Sequence, residues 1–451
     1  MGQRHQALSA HPPRRLLAEI AETVRLALPI IVARTGLLTM VAVNTMMLGR
    51  VGAEEMAFFS LGMSPHIPVM LVGIGLVMGT MVMTAQAMGA GNPLEAGTVW
   101  RCSLPYALLL GAVAAGLCLW GEGFYRLIGQ TPEVAAGAGR VLSILGFGLP
   151  AVFLYVTTSY FLEGIKRPMP GMIAILLANL ANAGLAWLLI FGHWGLPALG
   201  AEGAAWTTTW VRWLMGLGLI AYLLGMPEHE RFGLRRWPRN WWRDTVSQRR
   251  LGYAAGVANG IESTAFSTLV QLAGLLGIAS AAAYAITQNL IALVFMIALG
   301  LASATAVRVG HAYGAGDRPG AARAGWTGLV MVAALMAAIG LAFSFVAEGV
   351  VSLFTPLAEV IAVALLMAPL LPAIMIFDGG QVVMLHALRG LGDGWVPTWL
   401  HFLSYSVVMI PLSYALAFPL GGGVVGLLYG MLSASVLAVF LLAGRFKLRC
   451  G

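Results

Sequence analysis

Two acids stand where acids are expensive. Asp378 lies in Phe377-Asp378-Gly379-Gly380-Gln381, and between Ile361 and His386 that apolar run holds no other Asp, Glu, Lys or Arg. Glu262 lies in Asn259-Gly260-Ile261-Glu262-Ser263-Thr264, inside another run long enough to cross a bilayer. A charged side chain at the centre of a membrane helix costs about 2.5 to 3.5 kcal/mol on insertion scales. Counted from the edges of their spans, both acids come out about 15 Å deep, near the bilayer middle. Two carboxylates sharing a dry site favour taking up a neutralising cation, whether a proton, a sodium ion or an organic cation. Exchange among these is coupling. Two separate structural carboxylates, each hydrogen-bonded to Ser, Thr or Asn, are the alternative.

The other polar groups in apolar runs are fewer and mostly neutral. Asn44, Asn179 and Asn182 are candidates for a polar cluster lining a cavity, against plain interhelical hydrogen bonding. Arg34 and Arg212 are expected to pair with an acid or to snorkel. Glu163 is expected to pair locally with Lys166 and Arg167.

These residues need a membrane frame, and the composition supplies one. Hydrophobic residues make up 59% of the 451, and 10% are charged; the mean hydropathy is +0.85. A soluble domain carries about 25% charged residues. Apolar runs predict twelve spans. The fold class is therefore an all-α polytopic membrane protein, with twelve transmembrane helices as two parallel six-helix repeats around a central cleft. The expected divisions are an arm over 1–26, a first bundle over 27–225, a linker over 226–250, a second bundle over 251–444 and a tail over 445–451. Of the 26 Lys and Arg, 21 fall on one side of the predicted membrane and three on the other. That bias places both termini in the cytoplasm of a cell with this protein in its inner membrane. No cleaved leader is expected at the N-terminus.

The repeat is read at a shift of 225 residues. Arg25-Leu26 then falls on Arg250-Leu251, Gly75-Leu76 on Gly300-Leu301, and Thr80 on Thr305. Gly89-Ala90-Gly91-Asn92 falls on Gly314-Ala315-Gly316-Asp317, and both are read as tight turns. An even number of spans per half inserts both halves the same way up. The acids do not follow the repeat: Glu262 falls on Leu37, and Asn44 on Leu269. The second half is the charged half.

Other classes of function find little support. The three cysteines fit neither a disulfide framework nor a metal site. There is no basic, aromatic-laced face for nucleic acid. A membrane-embedded enzyme using Glu262 and Asp378 as an acid/base pair lacks a nucleophile motif or a His-rich ligand set.

With these motifs in place, the chain resembles the multidrug and toxic compound extrusion (MATE) transporters, most closely their bacterial NorM-type branch. The resemblance runs from Leu26-Ala27-Leu28-Pro29 to the twelfth span. It rests on Gln86-Ala87-Met88-Gly89-Ala90-Gly91-Asn92, Val307-Arg308-Val309-Gly310-His311, Phe377-Asp378-Gly379-Gly380-Gln381 and Leu388-Arg389-Gly390-Leu391-Gly392-Asp393. It implies a monomeric antiporter that exports small amphipathic organic cations in exchange for Na+ or H+, with no cofactor and no metal beyond a Na+ at Glu262 and Asp378. An exporter or flippase of lipid-linked or other anionic substrates is the alternative within the same superfamily. Glu262 and Asp378 match the family's membrane acids of the second bundle, and Asn289 matches a polar position on the eighth span. Gln381, Asn44, Asn179, Asn182 and Arg34 complete the polar cavity candidates. The chain departs from the family where many bacterial members carry an acid on the first span. Here the residues are Asn44-Thr45-Met46-Met47. An amide cannot release a proton at any relevant pH, so a proton switch is not expected there.

Overall fold

The computed structural model describes residues 12–236 and 240–450, with side chains from residue 17 onward. The arm ahead of Pro12 and part of the midpoint linker therefore lie outside the described residues. Among the described residues, twelve long helical paths carry the chain. The first six are α1 (Pro12–Leu48), α2 (Ala53–Gly89), α3 (Pro93–Leu119), α4 (Pro132–Gly164), α5 (Met169–Phe191) and α6 (Gly200–Gly225). After short turns at His229–Phe232 and Trp241–Asp244 come α7 (Val246–Leu275), α8 (Ile278–Gly314) and α9 (Arg318–Ser352). The last three are α10 (Ala358–Gly390), α11 (Trp395–Ala417) and α12 (Gly423–Cys450).

Among the described residues, ten of these are long and apolar enough to cross a membrane. The two that fall short are α6 and α7. Their sequences explain it: α6 carries Thr207-Thr208-Thr209 and Arg212, and α7 carries Gln248-Arg249-Arg250, Asn259 and Glu262. Polar side chains lower the hydropathy of a helix that buries them against neighbours instead of showing them to lipid.

The predicted turns recur with the repeat. At the start of α3 the Asn92 side chain accepts a hydrogen bond from the Glu95 N–H at 3.2 Å, with Pro93 opening the helix. At the start of α9 Asp317 accepts from the Gly320 N–H at 2.8 Å. Such caps satisfy backbone donors that a helix start leaves without partners. The preceding Gly91 and Gly316 have φ of 76° and 73°, which a residue with a Cβ rarely adopts.

The chain forms two compact units, residues 32–260 and residues 261–451 together with 1–31. Both divisions fall inside helices, α1 and α7, rather than in connections. Within the 32–260 unit the first half of α7 packs on α2. Gln248 donates to Thr80 Oγ1 at 2.7 Å and Asn259 donates to the Leu71 carbonyl at 2.9 Å. A Cβ on Gly75 would stand 2.7 Å from the Gly256 Cα, so only glycine allows that approach. Within the other unit the first half of α1 packs on α8 in the matching way, and a Cβ on Gly300 would stand 2.4 Å from Ile31. Arg308 fixes that contact, donating to Thr23 at 2.7 Å and lying 3.5 Å from Glu19 and 3.6 Å from Glu22. The 225-residue shift takes Gly75 to Gly300 and Ile31 to Gly256. One helix–helix contact is thus made twice.

At the midpoint, Arg167 donates to Glu228 at 2.7 Å. That hydrogen bond, on an exposed residue, holds the Glu228 carboxyl below the usual carboxylate range.

Candidate functional site

Asp378 is buried on α10, whose following Gly379 and Gly380 let neighbouring helices close in. A Cβ on Gly379 would stand 3.0 Å from Met336 and 3.1 Å from Val332, both on α9, and one on Gly380 would stand 3.2 Å from Val439 on α12. The glycine pair therefore packs α10 tightly while the carboxyl one residue earlier keeps a polar neighbourhood. Tyr405 donates its hydroxyl to Asp378 Oδ1 at 2.8 Å, and the same hydroxyl lies 3.2 Å from Ser435 Oγ on α12. Tyr405 sits in a π-helical stretch of α11, Leu403–Met409. Such segments are rare and cluster at functional sites, since the extra residue per turn re-aims side chains.

The chain of contacts leads on to Glu262. The His401 ring stacks on Tyr405 with centroids 4.4 Å apart, and its Nε2 lies 3.9 Å from Glu262 Oε2. That is just beyond hydrogen-bond reach. Glu262 interacts electrostatically with Asp378 and with the buried Arg389. Gln381, fully buried, lies beside Asp378. The structure therefore gathers Glu262, Asp378 and Gln381 with Tyr405, His401, Ser435 and Arg389 inside one unit. Asn289 stands apart: it is exposed, and its amide donates to Ala285 of its own helix at 2.9 Å.

Four of these residues are not among the site residues that the sequence singles out. His401 and Arg389 carry the signal that flags the two acids, an ionisable side chain in an apolar run, and that signal is sufficient to find them. Tyr405 and Ser435 carry none. Their types are ordinary in a membrane helix, and Tyr405 meets the acid from within the π-helical stretch. The motif around Arg389 also holds Asp393, which takes a structural role, with Arg445 at 2.9 Å and Arg449 at 3.6 Å.

The 32–260 unit has a neutral counterpart. Asn182 donates to Asn44 Oδ1 at 2.8 Å, and Asn44 donates to Thr208 Oγ1 at 2.7 Å. This chain links α5, α1 and α6 by amides and a hydroxyl, none of which titrates. Asn179 is separate, donating to the Gly36 and Ile175 carbonyls at 3.0 and 2.9 Å. Arg34 pairs with Glu163 at 3.2 Å, and its guanidinium lies over the Tyr160 ring. Ser159 donates to the same carboxylate at 3.1 Å. Glu163, buried on α4, thus pairs across helices with Arg34, while Arg167 turns outward to Glu228. Asn44→Asp places a titratable group into the neutral chain, so the pH profile of transport is expected to gain a limb the wild type lacks. A profile unchanged from wild type, measured as substrate efflux across about pH 5 to 9, removes Asn44 from any coupling role.

Comparison with known proteins agrees with this architecture. The MatE family model matches residues 29–188 and 254–415, one match in each half. A probable multidrug resistance protein NorM of Caulobacter vibrioides is 36% identical, the match covering 98% of this chain and 94% of that protein. A protein of the same name from Mesorhizobium japonicum is 32% identical, covering 96% of this chain and 94% of its own length. Among solved structures, the eukaryotic MATE transporter AtDTX14 superposes with a TM-score of 0.88 at 21% identity, over 96% of this chain and 98% of that one, which speaks for the twelve-helix fold. Acids within the helices of a membrane frame, a twofold repeat matched half by half and relatives of nearly equal length lead to one conclusion: the chain belongs to the MatE family and is a multi-pass membrane transporter, not an enzyme.

Proposed function

We propose that the protein is a secondary antiporter that exports small amphipathic organic cations in exchange for Na+ or H+ by alternating access. It works as a monomer in the cytoplasmic membrane with both termini inside. The observation that carries this reading is the Asp378–Tyr405–His401–Glu262 series. It brings two carboxylates into one side-chain series, with a hydroxyl and an imidazole between them. Binding an organic cation at these acids requires the coupling ion to leave, and rebinding the ion expels the substrate. Na+ and H+ are each served by buried carboxylate oxygens, and here both count as cargo. The names of the NorM relatives support a drug-like substrate.

The reading of an exporter of anionic substrates has few buried cations in the spans of the first half to draw on, Arg34 and Arg212, and Glu163 already neutralises Arg34. The test uses the purified protein in liposomes with ethidium as substrate. Ethidium movement is followed under a sodium gradient with the pH gradient collapsed, and then under the reverse. Movement driven by one of these gradients is expected; movement driven by neither overturns antiport.

Tyr405→Phe deletes the hydroxyl that donates to Asp378. A hydrogen bond to a charged group contributes about 1.5 to 3 kcal/mol, so ethidium transport is expected to slow by about tenfold or more. Initial rates in the same liposomes check this, and a wild-type rate would detach the π-helical stretch from the mechanism.

A further inference from the structure

A groove of about 600 Å³ runs between α5 and α6, inside the 32–260 unit. Ala178 on α5 with Met215 and Leu219 on α6 belong to its buried floor. Its walls stand exposed, Ile173 and Leu177 on α5 and Leu214 on α6. The sequence makes this shape by setting small residues beside large ones. On α5 Ala174 and Ala178 follow Ile173 and Leu177, and on α6 Gly218 comes one turn after Leu214. A Cβ on Gly218 would meet nothing across the groove within 4 Å, so the groove is open there and not a seam closed by packing.

One end of the groove lies at the ends of its helices. It begins at Met169, directly after Lys166-Arg167-Pro168, and at Tyr222 near the end of α6. From there it runs about 14 Å along α5 to Ala178 and about 17 Å along α6 to Val211. Half of a bilayer's hydrocarbon core is about 15 Å, so the groove is as long as one leaflet is deep. Its outer end is basic. Arg235 donates to the Leu224 carbonyl at 3.0 Å, and Arg167 reaches Glu228 at 2.7 Å and the Met226 sulfur at 3.5 Å. Both guanidinium groups thus gather at the last turn of α6, next to Tyr222. Each carries five N–H donors, more than these contacts use. Lys166, Arg231 and Arg236 add to the charge, against Glu228 and Glu230.

A trough that is apolar along one leaflet and cationic at its outer end matches a phospholipid with an anionic headgroup. Moving an acyl chain from bilayer to groove gains packing and not hydrophobic energy, because lipid tails are as apolar as leucine. Selection therefore rests on the headgroup, and basic residues beside spanning helices select anionic ones. Other occupants meet that charge with the wrong sign. A second copy related by an axis along the membrane normal would bring two basic ends together, and an amphipathic organic cation would be repelled.

We propose that the α5–α6 groove binds one anionic phospholipid, with an acyl chain in the groove and the phosphate at Arg167 and Arg235. The site uses neither Glu262 nor Asp378, so it stands apart from the exchange of ion and substrate.

Native mass spectrometry of the purified full-length protein in detergent tests this, with phosphatidylglycerol and phosphatidylcholine of identical chains added in equal amounts. One phosphatidylglycerol per chain is expected to stay bound, favoured about tenfold or more over phosphatidylcholine. Gly218→Leu fills the groove and is expected to abolish this. Gly184→Leu makes the same exchange elsewhere on α5, at a glycine whose Cβ would also meet nothing within 4 Å, and is expected to keep it. Arg167→Gln with Arg235→Gln leaves the groove open and is expected to bring phosphatidylglycerol down to the phosphatidylcholine level. That double substitution serves should Gly218→Leu fail to fold. Equal retention of the two lipids by the wild type overturns the proposal, as do lipid-free dimers. Wild-type retention in the folded Gly218→Leu protein, or in the doubly substituted one, overturns it equally.

Discussion

Asp378→Asn is expected to leave the protein in the membrane at wild-type amounts while ethidium efflux from everted vesicles falls to the level of vesicles without it. The substitution keeps size, helix register and the glycine contacts of α10. It also keeps an oxygen to accept from Tyr405, so packing and insertion have little reason to change. What it removes is the carboxylate charge, and an amide binds neither a proton nor a cation in its place. Glu262→Gln is expected to give the same loss, since one acid alone cannot offer both charges of the series. Efflux retained in both variants would reduce the two carboxylates to structural groups.

Glu163→Gln has the largest expected effect on stability. Arg34 and Glu163 are 8% and 2% exposed, and removing one partner of a buried pair leaves the other charge uncompensated, at about 3 to 5 kcal/mol. Removing both charges, in Arg34→Met with Glu163→Gln, is expected to return stability to within about 1 kcal/mol of wild type. The amide oxygen introduced by Glu163→Gln would still accept from Ser159 in that protein. Urea unfolding in mixed micelles measures the cycle. Additive costs in the double variant would mean that the two residues act separately.

Much of the architecture is legible in the sequence because the bilayer imposes it. Apolar run lengths follow from membrane thickness, and the glycine and cap positions of the repeat survive in both halves because one turn and one close contact are built twice. Glu262 and Asp378 are legible for the opposite reason: they break the pattern. Hydropathy reports where the chain crosses a membrane, however, and not which helices touch. That is why the first halves of α1 and α7, packed on α8 and α2, lie beyond sequence reading. The same holds for Arg34, whose partner lies 129 residues away, and for Tyr405, whose partner Asp378 lies on another helix. Asn289 adds a detail no sequence shows, since its amide here closes on its own helix.

Ion release on substrate binding tests the coupling role of the acid pair most directly. Ethidium is added to the purified protein, once in weakly buffered detergent with a pH indicator and once after loading with radiolabelled sodium. The wild type is expected to release protons or sodium as ethidium binds, and Asp378→Asn is expected to release neither. Ethidium binding to the wild type with no release of either ion, or release undiminished in Asp378→Asn, would contradict it.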